Sequence, residues 1–117
     1  MQIETGVNLR PYNSFGLPAL AHKLVRVHGE ADVRAIVDDP EFGRAPKFVL
    51  GGGSNIVLTR DVQALVLKIE LRGRRLLEQR DDATIVEAGA GENWHDFVAW
   101  TLAQGWPGLE NLALIPG

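Results

Sequence analysis

The sequence predicts an α+β chain: a small βαβ unit, then the opening strands and helix of a second, mainly antiparallel lobe. Three observations carry this expectation. A strand pattern, an amphipathic helix and a second strand pattern follow one another within residues 23–50. Three consecutive glycines, Gly51, Gly52 and Gly53, stand between the apolar runs 48–50 and 56–58. Beyond residue 60 the pattern changes to a strand, a hairpin and one capped helix. The expected division is 1–60 for the first subdomain and 61–117 for the start of the second, which reads as cut short.

Residues 9–20 contain Pro11, Asn13, Gly16 and Pro18 and read as an extended arm. Residues 23–28 form the first strand, with Leu24, Val25 and Val27 as its apolar members. A short helix starts at Gly29 or Glu30, carries Asp32 in its first turn, shares Val33, Ile36 and Val37 on one face, and stops at Pro40. Residues 47–50 are the second strand, and 56–59, following the glycines at once, the third. Across 64–71, Leu65, Leu67, Ile69 and Leu71 face one way and Lys68 and Glu70 the other. Residues 76–80 and 83–88 read as a hairpin turning at Asp81 and Asp82. A helix follows over 93–104, capped by Asn93 with Asp96 three residues on, burying Trp94, Phe97, Val98, Thr101 and Leu102 and closed by Gly105 and Pro107. Trp100 and Trp106 fit that stripe less well and are expected to pack on elements outside this chain. The last stretch, with Leu109, Leu112, Leu114 and Ile115, is apolar where chain ends are usually polar. It reads as a chain interrupted before its next element, or as a terminus docked into the core.

Each glycine in otherwise regular backbone costs about 0.5–1 kcal/mol against alanine, so three in a row cost about 2–3 kcal/mol. A simple connection needs one at most. The reading that accounts for the rest is that a group lies against bare backbone, with successive N–H groups turned toward it; such a concavity takes an anion, usually a phosphate. Ser54 adds a hydroxyl and Asn55 an amide. A Rossmann fingerprint would need glycine where Ile56 stands, and a Walker loop would need a Gly-Lys pair where Gly53-Ser54 stands; the segment has no nearby lysine. A glycine-rich turn without a ligand remains the alternative for this segment taken alone.

Composition bounds the function. The 117 residues, 45% apolar and 23% charged, describe one globular domain or part of one. A formal charge of −3 gives no reason to expect nucleic acid or an anionic membrane as partner. With no cysteine, disulfides and thiolate metal sites are excluded. The longest uncharged run, 97–109, is broken by Gln104, Gly105 and Pro107 and is shorter than the ~20 residues a bilayer needs. No secretory core precedes residue 9, so a cytoplasmic location is expected.

His22, His28 and His95 show no metal spacing. Glu87, Glu92 and Glu110 could act as acids or bases, but stand at element edges where solvated carboxylates are ordinary. Arg72, Arg74 and Arg75 around Gly73 are either a phosphate clamp or a solvated turn.

Several motifs together resemble one family. Gly-Glu-Asn-Trp-His at 91–95, Thr-Leu-Ala-Gln-Gly at 101–105 and Gly-Leu-Glu-Asn-Leu-Ala-Leu-Ile-Pro-Gly at 108–117 are similar to the signature run of the UDP-N-acetylenolpyruvoylglucosamine reductases. Asn13-Ser14-Phe15-Gly16 is similar to that family's Asn-Thr-Phe-Gly, and residues 51–55 to its flavin loop. The wording Glu-Asn-Leu-Ala resembles the subclass with the longer substrate-capping insertion. The resemblance runs from about residue 8 to the end. It implies a vanillyl-alcohol-oxidase-type (PCMH) FAD-binding fold and FAD as cofactor, held by Leu50, Gly51, Gly52, Gly53, Ser54, Asn55, Ile56 and Val57, and later by Ile115, Pro116 and Gly117. It further implies NADPH and UDP-N-acetylglucosamine enolpyruvate as partners and UDP-N-acetylmuramate, a peptidoglycan precursor, as product. The family's catalytic serine, arginine and glutamate lie beyond the matching run, so no catalytic residue is assigned and this stretch alone is expected to be inactive. Substitution of Gly52 or Gly53 by valine is expected to abolish flavin retention with the fold intact, and the stretch by itself is expected to self-associate. The alternatives are part of another PCMH-type oxidoreductase, or a non-catalytic nucleotide- or phosphate-binding module.

Overall fold

The computed structural model describes residues 1–116. The chain divides into two compact units, Met1–Glu70 and the residues from Leu71 onward. The first holds β1 (Ile3–Asn8), β2 (Leu20–Val27), α1 (Glu30–Asp38), β3 (Lys47–Leu50) and β4 (Val62–Ile69), with a 3-10 turn at Arg10–Tyr12.

Its sheet has the order β1-β2-β4-β3, antiparallel between β1 and β2 and parallel at the other two pairings. The expected strand–helix–strand succession is present, but β2 and β3 are not neighbours: β4 is inserted between them. That insertion moves the division between units past residue 60, since β4 is a central strand of the first sheet. It also changes the expected alternation, because Leu65, Val66 and Leu67 are buried in succession, as befits a parallel strand covered on both faces. Leu71 lies outside the strand.

A parallel neighbour can be reached only by a crossover that returns the chain to the start of the sheet. Residues 51–61 are that return, so 56–59 form no strand. The apolar character of this run is spent on packing: Ile56 and Leu58 lie against the core of Leu9, Ala21, Leu24, Leu50 and Val66, while Val57 is exposed.

Two further expectations change. Residues 3–8, which carry little apolar signal, form an edge strand, with Gly6 at φ 61° and pairing from Ile3↔Val25 to Asn8↔Leu20. The supposed arm is a compact turn locked by Asn13. This buried amide donates Nδ2 to the carbonyls of Leu9 (2.8 Å) and Leu17 (3.1 Å) and accepts from the Leu17 N–H (2.9 Å). In α1 the Asp32 carboxylate accepts from the N–H groups of His28 (2.8 Å) and Gly29 (3.2 Å), fixing the start of the helix. Only Ile36 of its expected face is buried; Val33 and Val37 are exposed.

The second unit opens with the expected hairpin, β5 (Arg74–Gln79) and β6 (Thr84–Ala88), whose turn closes through Arg80 N–H to Ala83 C=O at 2.8 Å. α2 (Trp94–Ala103) follows, its N-cap Asn93 accepting from the Asp96 N–H at 2.9 Å. Phe97, Val98 and Thr101 are buried, Trp94 is half-buried, and Leu102 is exposed against expectation. Trp100 and Trp106 find partners inside the unit: Trp100 stacks on Phe97 at 5.7 Å between ring centroids and meets Trp106 edge-on at 5.4 Å. A second 3-10 turn, Glu110–Leu112, follows.

Candidate cofactor site

The glycine loop leaves the carboxyl end of β3, the end at which open α/β sheets commonly hold ligands. Its three glycines are glycine for different reasons. Gly53 sits at φ 66°, and a Cβ there would run into the Tyr12 carbonyl and stand 2.8 Å from the Asn13 Cα. Its identity is set by the chain's own packing. A Cβ on Gly51 or Gly52 would meet nothing within 4 Å. Nothing in the fold requires glycine at those two positions, which leaves room for a group from outside.

The loop is also polarised. The Gly51 carbonyl accepts from Lys68 Nζ at 2.9 Å, and the Gly53 carbonyl accepts from the Ser14 N–H at 3.0 Å. Among the described residues, no hydrogen bond is donated by the N–H groups of residues 52–56. Two of the loop's carbonyls are thus tied to the fold, while the N–H groups of 52–56 are left available on backbone that is exposed at Gly52, Ser54 and Asn55. Such a run of amides is suited to an anion, and a diphosphate fits it. Lys68, 17 residues away in sequence, is the lysine that reaches this loop, and it does so at a backbone carbonyl.

Behind the loop, Arg26 is saturated by its neighbours. Its guanidinium donates to Glu4 (2.9 Å), Glu70 (2.7 Å) and the Tyr12 hydroxyl (3.0 Å). These contacts, the Tyr12 hydrogen bond first and then Glu4 and Glu70, raise its pKa above the ordinary arginine value. Lys68 is different: none of the ion pairs among the described residues includes it, and its ammonium lies 5.8 Å from the Tyr12 ring centroid.

Of the residues nominated from sequence, 51–56 come together in this cradle. Leu50 is buried in the core beneath it, and Val57 opens toward a groove of about 840 Å³ lined by Phe48 and residues 57–64. Ile115 and Pro116 are exposed residues of the second unit, and Gly117 lies outside the described residues. The segment before them is pinned by Trp94, whose indole Nε1–H donates to the Leu112 carbonyl at 2.7 Å, and Leu114 adopts φ 64°. The role of Asn13 in building the floor under Gly53 was hidden from sequence, where it stood out only as part of a turn-rich stretch and of the Asn-Ser-Phe-Gly motif.

The other candidates are held by structural partners. Arg75 pairs with Glu87 at 2.8 Å, Arg74 lies over the Trp100 ring at 5.5 Å and Arg72 stands 4.0 Å from Glu92, so each arginine around Gly73 has a partner of its own. Glu92 accepts from the Gly73 N–H and Glu110 from the Gly108 N–H, each at 2.6 Å. Among the described residues no cluster of His, Asp or Glu could hold a metal ion.

Comparison with known proteins agrees with this geometry. Residues 21–117 match the family model described as FAD binding domain. The chain is 60% identical to a UDP-N-acetylenolpyruvoylglucosamine reductase of Azoarcus sp. (strain BH72) over 100% of its own length and 35% of the relative's. It is 51% identical to that of Chromobacterium violaceum, over 100% of this chain and 34% of that one. A solved structure, the UDP-N-acetylenolpyruvylglucosamine reductase of Thermus caldophilus, superposes with a TM-score of 0.71 at 27% identity, covering 99% of this chain and 39% of that one. The chain thus spans about a third of the length of these curated relatives. Bare amides at the end of β3, two glycines open to an outside group and a match over most of the sequence lead to one conclusion: the chain belongs to the FAD binding domain family.

Proposed function

We propose that this chain is the N-terminal, FAD-binding part of a reductase that uses NADPH to convert UDP-N-acetylglucosamine enolpyruvate to UDP-N-acetylmuramate in the cytoplasm. The observation that supports it most is the pairing of two glycines that no internal contact requires with a run of amides that donate no hydrogen bond among the described residues. In this reading the N–H groups of 52–56 hold the FAD diphosphate, and Ser54 and Asn55 add side-chain donors. The sheet unit Met1–Glu70 then corresponds to the first flavin-binding subdomain, and the residues from Leu71 onward to part of the second, in place of the 1–60 and 61–117 division expected from sequence. When bound, the flavin supplies hydride transfer between NADPH and the enolpyruvyl double bond. The task of these residues is to bind and orient it, which fixes the reacting atoms before chemistry begins. No helix among the described residues is long and apolar enough to cross a membrane.

Titration of the full-length apoprotein with FAD tests the proposal. One equivalent should bind and give a yellow protein absorbing near ~450 nm, and Gly52→Val should abolish retention. A Gly52→Val protein purified with stoichiometric FAD would refute the placement of the diphosphate, and an apoprotein that binds no FAD would refute the function.

A further inference from the structure

We propose that Lys68 is a positioning residue for the cofactor's diphosphate, acting through the Gly51 carbonyl; the inference rests on FAD binding at the glycine loop. A trans peptide unit is planar, with its C=O and N–H on opposite sides. Tying the Gly51 carbonyl to Lys68 at 2.9 Å therefore turns the Gly52 N–H the other way, away from Lys68. The Ser14 N–H does the same for the next peptide but one: it holds the Gly53 carbonyl at 3.0 Å and so orients the Ser54 N–H. Gly51 and Gly52 carry no side chain, and the space a Cβ would take at either is open, so no side-chain packing restrains them. Without an anchor, the peptide between them would be free to rotate and offer its carbonyl to an anion.

The anchor comes from the register of β4. Lys68 is paired with Arg26 of β2 on one side and with Leu50 of β3 on the other, which sets its ammonium at the root of the loop. The two neighbouring cations are then used differently. Arg26 is neutralised by Glu4 and Glu70. Lys68 has no carboxylate partner among the described residues, so its charge stands behind the cradle and polarises the peptide whose N–H faces the anion.

The test compares Lys68→Met and Lys68→Arg with the unsubstituted full-length protein, measuring the FAD dissociation constant by flavin fluorescence and the thermal midpoint of each apoprotein. Lys68→Met should weaken FAD binding by about tenfold or more, a change of ~1.4 kcal/mol per decade. Lys68→Arg should recover binding to within about threefold, since it restores a charged donor. Apoprotein midpoints should agree within about 4 °C. If Lys68→Met does not fold, Lys68→Gln carries the same expectation of weakened binding, because it retains a donor without charge. Unchanged FAD affinity in the methionine or glutamine variant, or no recovery with arginine, would overturn the inference while leaving the proposed function standing. Failure of the unsubstituted protein to bind FAD would overturn both.

Discussion

Gly53 and Tyr12 approach so closely through their backbones that no side chain fits between them: a Cβ on Gly53 would collide with the Tyr12 carbonyl. Gly53 is also in the left-handed region, at φ 66°. Gly53→Ala should therefore destabilise the apoprotein by about 2–5 kcal/mol, from backbone strain plus overpacking. Gly52→Ala, in open space, should change apoprotein stability by no more than about 1 kcal/mol. This separates two residues expected from sequence to behave alike. Denaturant unfolding of both variants checks it; equal stabilities would refute the assignment of Gly53 to the fold.

Asn13→Ala removes a buried amide that serves two carbonyls and one N–H. Leaving such groups unpaired costs about 1–3 kcal/mol each, partly relieved by water. The expected loss is about 2–4 kcal/mol in denaturant unfolding. Because Asn13 also floors Gly53, FAD affinity should fall with it, and a variant of parental stability would contradict the account.

The Glu110 carboxyl is held below its ordinary value of 4.5, first by the Gly108 N–H and then by its own N–H. A carboxyl depressed in the folded state stabilises it above the unfolded pKa and loses that contribution as pH falls through the folded pKa. The turn at 108–112 should thus be intact at neutral pH and loosen as pH falls below the ordinary value and through the depressed one. Hydrogen exchange at the Gly108 amide reads this directly. In Glu110→Gln the Gly108 amide should be less protected, relative to its intrinsic exchange rate, at neutral pH, and that protection should change little on acidification.

Exposed apolar side chains favour self-association of the isolated 117-residue stretch. Leu112, Leu114 and Ile115 are 45%, 78% and 46% exposed. Full burial of each is worth about 1.5–3 kcal/mol over leaving it in water. Sedimentation velocity should show concentration-dependent dimers or larger species, reduced by Leu114→Glu. A compact monomer with residues 109–116 protected from exchange would contradict this. Trp100 and Trp106 are not part of the argument, since they pack on Phe97 and on each other.

Local chemistry made much of the chain legible. The Asn93 cap, the hairpin turn at 81–82 and the breaker Pro40 act through neighbours a few residues away, and each stands where its pattern put it. The glycine run announced a concave backbone because the entropic cost of glycine is written in composition alone. Membership of the FAD binding domain family was likewise contained in the order of motifs.

Order within the sheet was not. Whether Val62–Ile69 pairs beside β3 or between β2 and β3 depends on packing that no local pattern expresses, and its central place turned residues 56–59 from strand into crossover. The same choice brought Lys68 to the Gly51 carbonyl across a separation of 17 residues, and the turn at Asn13 brought Tyr12 under Gly53. A sequence shows that a loop lacks a lysine nearby in the chain; only the strand register decides which lysine is nearby in space, because hydrogen bonding acts over ångströms and is indifferent to chain distance.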